Sequence, residues 1–390
     1  MIVIKKIYRW ILYTIALLSL LVIIAAAVVR FVIYPNIDEY KDRIAAEATK
    51  TLGQKVTIGH IVTGWEHLSP HVSLKNIDVF DAENRAALHL KNVEATLSWL
   101  SVPLLQPRLS NLIIHQPVLT IRRKADGNVY LAGINLAGES KPNFVNWLLS
   151  QSEVRFENAN LIWQDELRQA PTLSLNKLNL TLENPAWRSL FGQHRFNLSV
   201  MPSVGTAKIL IANGSFVGRD ISQINTWHGK LQLEAQATDL TAWKPWLDYP
   251  LEMQSGTGDS KIWLDFANSK INNVKADVTL TNLSTKLNQA PEPFKAEHFS
   301  GIVSWSQNAQ KSIFDAKNIK LQASGGLNID GGYGHVTQST KNNKPWIDVT
   351  INLNQFNLDS IQKLQFLMPS WPFLVLICEI LEPNLIDPSQ

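Results

Sequence analysis

From Lys55 to Leu358 the chain alternates apolar and polar residues, and the alternation repeatedly slips by one residue at a polar pair before resuming. A period of two puts successive side chains on opposite faces, so each run reads as a strand with one apolar face. Val72 and Leu74 are followed by Lys75-Asn76, then by Ile77 and Val79. Leu88 and Leu90 are followed by Lys91-Asn92, then by Val93, Ala95 and Leu97. Leu173 and Leu175 precede Asn176-Lys177 and then Leu178, Leu180 and Leu182, while Val278 and Leu280 precede Thr281-Asn282 and Leu283. The same order surrounds Glu157-Asn158, Lys317-Asn318 and Asn354-Gln355.

A slip of one residue sends every later side chain to the opposite face unless the strand bends. A β-bulge supplies such a bend, and Asn tolerates the left-handed backbone involved. The alternative is that each Asn marks a turn between two short strands. Either version is a long antiparallel meander, since no helical crossover is legible between the strands. Repeated bends in one sense imply a curled sheet with a continuous apolar trough. Its candidate lining on the N-terminal strands is Val72, Leu74, Ile77, Val79, Leu88, Leu90, Val93 and Leu97. Further along it is Leu175, Leu178, Leu180, Val278, Leu280 and Leu283. The competing role for all of them is the core of a closed β-sandwich. About 18 strands at roughly 4.8 Å spacing give a groove on the order of 90 Å long.

Ahead of the strands, Trp10–Val29 carries no charge and is about 30 Å long as a helix, the thickness of a bilayer core. Lys5, Lys6 and Arg9 precede it, which orients the N-terminus to the cytoplasm, and Trp10 and Tyr13 suit the interfacial belt. Ala25-Ala26-Ala27 also fits a signal-peptide cleavage site, although such apolar segments usually run about 7–15 residues. Pro35-Asn36 opens and Gly53 closes a second helix, with Ile37, Tyr40, Ile44, Ala48 and Leu52 on one stripe. Short helical turns are expected near Asn143–Ser150 and Leu240–Leu247.

Four of the 36 basic residues lie in the first 35 positions, where there is no acidic one, leaving the remainder at 32 basic against 33 acidic. Nucleic acid is therefore not an expected partner, because phosphate binding needs a basic face. One cysteine, Cys378, allows no intrachain disulfide and no Cys-based metal site. No nucleophile elbow, P-loop, HExxH or dinucleotide fingerprint is present. His60, His67 and His71 are close in sequence, but Ser69-Pro70 breaks any helix that could align them as ligands. Asp165-Glu166 and Asp78/Asp81 fall at strand ends, where solvated turns are the default. No catalytic residue, metal or cofactor is expected, and the protein is not read as an enzyme.

Several longer stretches carry a resemblance. Leu52–Asp81 (LGQKVTIGHIVTGWEHLSPHVSLKNIDVFD), following an anchor and a short helix, resembles the start of AsmA-like proteins of the YhdP family. Gly192–Pro202, Asp239–Phe266 and Asn272–Leu287 are closer still to that family. The resemblance implies an inner-membrane protein with a periplasmic β-sheet groove, similar in architecture to bridge-like lipid-transfer proteins, moving phospholipid towards the outer membrane. Joined to the reading of the residues, this gives residues 1–9 in the cytoplasm, an anchor at 10–29, a helix at 36–52 and the groove at 54–358 as the expected layout. Residues 359–390 read as its truncated end, since family members are usually longer. Expected partners are membrane phospholipids, the bacterial inner membrane and envelope proteins. A structural or assembly factor for outer-membrane proteins is the rival expectation.

Overall fold

A computed structural model describes residues 2–80, 86–101, 108–131, 134–135, 143–184, 191–206, 208–248, 252–286, 293–308, 310–324, 326–341 and 344–354. The expected end segment 359–390 and Asp81 lie outside these residues. Helix α1 (Ile2–Val28) continues through a π turn at Val29–Ile33 and a 3-10 turn at Tyr34–Asn36 into α2 (Ile37–Leu52). Gly53 ends α2 at φ 72°, its N–H donating to the Thr49 carbonyl at 2.8 Å, a left-handed cap that suits glycine.

Eighteen strands then form one sheet. The first group is β1 (Val56–Glu66), β2 (Ser69–Phe80), β3 (Ala86–Leu97), β4 (Leu109–His115), β5 (Val118–Arg123), β6 (Val129–Leu131) and β7 (Ile134–Asn135). After α3 (Asn143–Ser150) come β8 (Glu153–Asp165), β9 (Leu173–Glu183), β10 (Gln193–Pro202), β11 (Leu210–Val217) and β12 (His228–Asp239). The last six are β13 (Glu252–Ala267), β14 (Lys270–Lys286), β15 (Phe294–Gln307), β16 (Lys311–Ala323), β17 (Asn328–Lys341) and β18 (Lys344–Leu353). The expected turn at Leu240–Leu247 is a 3-10 turn at Thr241–Trp243.

The pairing departs from a pure meander at one place. β4 and β5 lie end to end and both run parallel to β8, with Leu112 opposite Val154 and Val118 opposite Asn160. The chain between them turns through β6 and β7 and returns along α3, a connection long enough for a parallel pairing. All other registered pairs are antiparallel neighbours in sequence. Because β4 and β5 share one position and β6 and β7 flank β5 alone, fifteen strands lie abreast. At about 4.8 Å spacing the sheet is roughly 70 Å across, shorter than the sequence-based figure. It is open: the registered pairings join β1 only to β2 and β18 only to β17 among the described residues.

The asparagines at the phase slips are largely the bends expected of them. Asn76, Asn158, Asn282 and Asn318 have φ of 54°, 51°, 52° and 55° inside strands, and after Asn176 it is Lys177 that adopts 50°. At Asn158 and Asn318 the register shifts, as a bulge requires. At Asn76 it does not: Ile58 faces Ile77 and His60 faces Lys75, so β1 and β3 slip phase together with β2. Asn92, in β3, has no left-handed backbone; its amide oxygen accepts from Ser73 Oγ at 2.8 Å.

Backbone groups released at the bends are taken up by side chains. The Asn158 N–H donates to Asn179 Oδ1 at 2.9 Å, and Asn179 Nδ2 donates to the Lys177 carbonyl at 3.1 Å, joining two left-handed residues across β8 and β9. The Ala237 N–H (φ 48°) donates to Asp259 Oδ1 at 2.8 Å. At Asn282 the backbone oxygen accepts from Ser255 Oγ at 2.7 Å. A β-branched residue in that left-handed conformation is strained, whereas glycine is not. Asn282→Val should therefore lower stability by about 1–2 kcal/mol, with Asn282→Gly close to the parent. Urea denaturation of both variants checks this, and equal midpoints for the Val and Gly variants would remove the left-handed bend as the cause.

Candidate functional site

Register makes the apolar face traceable strand by strand, because directly opposed residues point to the same side. From β1 to β4, Ile61 faces Leu74, Leu74 faces Val93 and Val93 faces Ile114. Ile114 faces Phe156, which faces Leu180; the row continues through Leu198, Ala212 and Leu233. Ile262, Ala276, Val303, Ala316, Gly334 and Ile351 complete it at β18. All fifteen strands abreast contribute one residue to this row, and none of the fifteen is polar.

One residue along each strand, the neighbouring row faces the other way. It includes Ser73, Glu94, Arg155, Thr181, Asn197 and Asn213, then Gln232, Lys275, Ser304, Asp315, His335 and Thr350. Opposite charges are paired on that face: Lys261 Nζ lies 2.6 Å from Glu234 Oε1 and Lys230 Nζ 3.6 Å from Asp265 Oδ2. Trp263, the large aromatic there, sits between Lys261 and Lys275, whose ammonium groups lie 5.5 and 5.1 Å from its ring centre.

Among the described residues, helices cover the apolar face at one end only. Val56, Ile58, Ile61, Ile77, Val79, Val93, Leu112, Ile114 and Val154 form a buried core. Ile37, Ile44, Ala45 and Ala48 of α2 and Trp147 and Leu148 of α3 pack on it. Seven candidate residues fall here: Ile77, Val79 and Val93 are buried, and Val72, Leu74, Leu88 and Leu90 pack against them. These seven belong to a helix-capped core.

The other seven lie beyond it. Leu178 is buried with Ala159 and Val200, and Leu175 and Leu180 pack alongside; among the described residues this cluster is built from β8–β11 alone. Side chains that shield one another without a lid are expected on the inner side of a bend. Leu283 packs on Ala296, Ala323 and Leu327. Val278, Leu280 and, at the rim, Leu97 are half-buried. Phe156, Leu198, Leu233, Ile262, Val303 and Ala316 share this face without having been among the candidates; their own alternation was the available signal.

The polar groupings read from the sequence serve the fold. Asp165 is 4% exposed, not a solvated turn residue, and pairs with Arg123 across β5 and β8. Burial would raise its carboxyl, but hydrogen bonds from Arg123 and from the Arg168 N–H hold it below the usual range. Asp78 Oδ1 lies 2.6 Å from His89 Nδ1. His71 Nδ1 contacts Thr96 Oγ1 at 3.0 Å, and among the described residues no group of three His, Cys, Asp or Glu side chains is placed to hold a metal.

The anchor residues Trp10 and Tyr13 are exposed on α1 and Val29 follows its end. The helix over Lys6–Asn36 is long and apolar enough to cross a membrane once. A family model described as YhdP protein matches residues 1–377. No curated protein and no solved structure matches the chain.

The division into capped and open stretches has a measurable consequence. Truncation of a buried core side chain leaves a cavity, while truncation on an open face loses only part of a transfer free energy. Ile77→Ala should cost about 3 kcal/mol and Leu280→Ala about 1 kcal/mol. Denaturant titration of the two variants reads the difference, and equal costs would mean that the face around Leu280 is as closed as the core under α2.

Proposed function

The chain belongs to the YhdP family, and from that premise we propose that it is a membrane-anchored lipid conduit. Family membership supports an AsmA-like lipid-transport role in general, of a transport rather than an enzymatic type. The observation that carries the finer reading is the unbroken apolar row from Ile61 to Ile351, which beyond α2 and α3 has no helix over it among the described residues. Phospholipid acyl chains lie along this face while headgroups remain in water. A chain kept on it avoids about 0.8 kcal/mol per CH₂ of exposure, roughly 12 kcal/mol for a sixteen-carbon tail.

In this reading α1 holds the protein in the bacterial inner membrane. The basic residues ahead of Trp10 keep the N-terminus in the cytoplasm and place the sheet in the periplasm. Transfer is passive, towards the outer membrane, and its direction comes from outside this chain.

A second reading rests on the β18 edge. Trp346, Ile347 and Ile351 are 53%, 47% and 60% exposed on a strand that, among the described residues, is registered only with β17, a surface that a client strand of an envelope protein could extend.

Photocrosslinking in intact cells separates the two. A probe at Leu280 is expected to capture phospholipid, while one at Thr279, on the polar face, is not. Leu280→Asp should reduce lipid transfer at least tenfold with the fold retained. Protein adducts without lipid at Leu280, with adducts at Trp346, would overturn the conduit in favour of strand pairing.

A further inference from the structure

The half of α1 nearer the sheet does not stand clear of it. Leu18, Leu21 and Val22 line a cleft of about 460 Å³ together with Ser69, Ser98, Trp99, Leu100 and Ser110. Those partners come from the turn ends of β1–β2 and β3–β4. Above the cleft, Val22, Ala25, Ala26 and Val29 are half-covered while most of their neighbours are exposed. Their spacing of three and four residues places them on one face of the helix.

The two turns are tied together and to the elbow of the chain. Trp99 Nε1 donates to the Leu68 carbonyl at 3.2 Å. The Tyr34 hydroxyl lies 2.7 Å from the Gly64 carbonyl oxygen and 3.1 Å from that of His71. Two apolar side chains are open at this end, Leu68 at 82% exposed and Leu100 at 41%, with His67 of the β1–β2 turn exposed beside Leu68. Of the cleft serines, Ser110 Oγ donates to the Thr96 carbonyl and Ser98 Oγ accepts from the Leu100 N–H. Glu66, the acidic residue nearest the turn, accepts a hydrogen bond from Thr96 Oγ1.

Depth along the helix decides where this end lies. If the uncharged run Trp10–Val29 fills the hydrocarbon, Leu18 is roughly 16 Å and Val22 roughly 10 Å below its outer end at 1.5 Å per residue. Side chains that share a cleft with them are at the same level. Keeping the turns in water would draw the apolar stretch from Leu18 to Val28 into water as well.

We propose that the turn ends of β1–β2 and β3–β4 are seated in the hydrocarbon of the leaflet on the sheet's side, and that the cleft against α1 takes an acyl chain of a leaflet lipid. The membrane-spanning helix forms one wall of the cleft, which makes bilayer lipid its occupant. The placement rests on α1 and its contacts and stands apart from any transfer along the sheet.

The test uses the full chain with Cys378→Ser and a single cysteine at Leu68 or Leu100, labelled with the fluorophore NBD. A third protein carries the label at Leu247, an exposed residue within the β12–β13 connection, as the water-facing control. Each is reconstituted into phosphatidylcholine vesicles with and without lipids bearing a nitroxide on the acyl chain. Labels at positions 68 and 100 are expected to be quenched at least threefold more than the label at 247, with blue-shifted emission. Quenching equal to the control at both positions would overturn the proposal. Persistent quenching in a protein that transfers no lipid would remove the conduit and leave the seat in place.

Discussion

Everything in this sheet depends on neighbouring strands changing phase together. A strand that exchanges odd for even residues halfway along turns its later side chains over. Only a bend restores them, and a bend in one strand must be matched by its neighbours or the ladder breaks. The matching is visible where Gln116 and Asn158, both left-handed, lie side by side: His115 faces Glu157, and the Gln116 N–H donates to the Glu157 carbonyl at 2.8 Å. It is visible again at Asn76, where three strands slip at one level with no change of register. Asparagine serves here because its side chain tolerates positive φ. Placed once, such a residue is a local irregularity. Placed in many strands, it lets every strand keep apolar side chains on one face over both halves of its length.

Coverage of that face is limited by simple dimensions. A helix with its side chains is about 10–12 Å wide, so α2 and α3 together shade roughly 20–24 Å of a sheet about 70 Å across. That width is four or five strands, and the buried core under the helices indeed draws on β1–β4 and β8. The remaining strands have no helix to cover them among the described residues. An apolar surface of this extent, left facing water, is a binding surface or a liability. Its strand-by-strand continuity favours binding, because a random patch would be interrupted by polar residues within a few strands.

The parts of this arrangement legible in the sequence were those set by local period. Alternation located the strands, the broken alternation located the bends, and the capped helix from Ile37 to Leu52 was bounded by Pro35 and Gly53. What alternation cannot report is the partner. A period of two says that Ile77 and Leu280 each face the apolar side, yet it does not say that α2 lies over one and nothing over the other. The parallel return of β8 was hidden for the same reason: α3 contributes only Asn143–Ser150, too short a helical signal to announce a crossover. Asp165 was misplaced as a solvated turn residue because its partner, Arg123, is brought beside it by that same crossover.

The polar face completes the argument about what the sheet is built to do. Cross-strand ion pairs such as Glu234–Lys261 contribute little stability at an exposed surface. Their larger effect is on register. A slip by one residue would set Lys261 on the apolar side and Ile262 in water, while a slip by two would break the charge pairing opposite Glu234. The charged face thus adds to a register that the apolar alternation and the backbone ladder already specify. Separating the two tasks, with charge on one side and hydrocarbon on the other, leaves the row from Ile61 to Ile351 without a polar side chain, although Ser260, His194 and Gln338 share that face elsewhere.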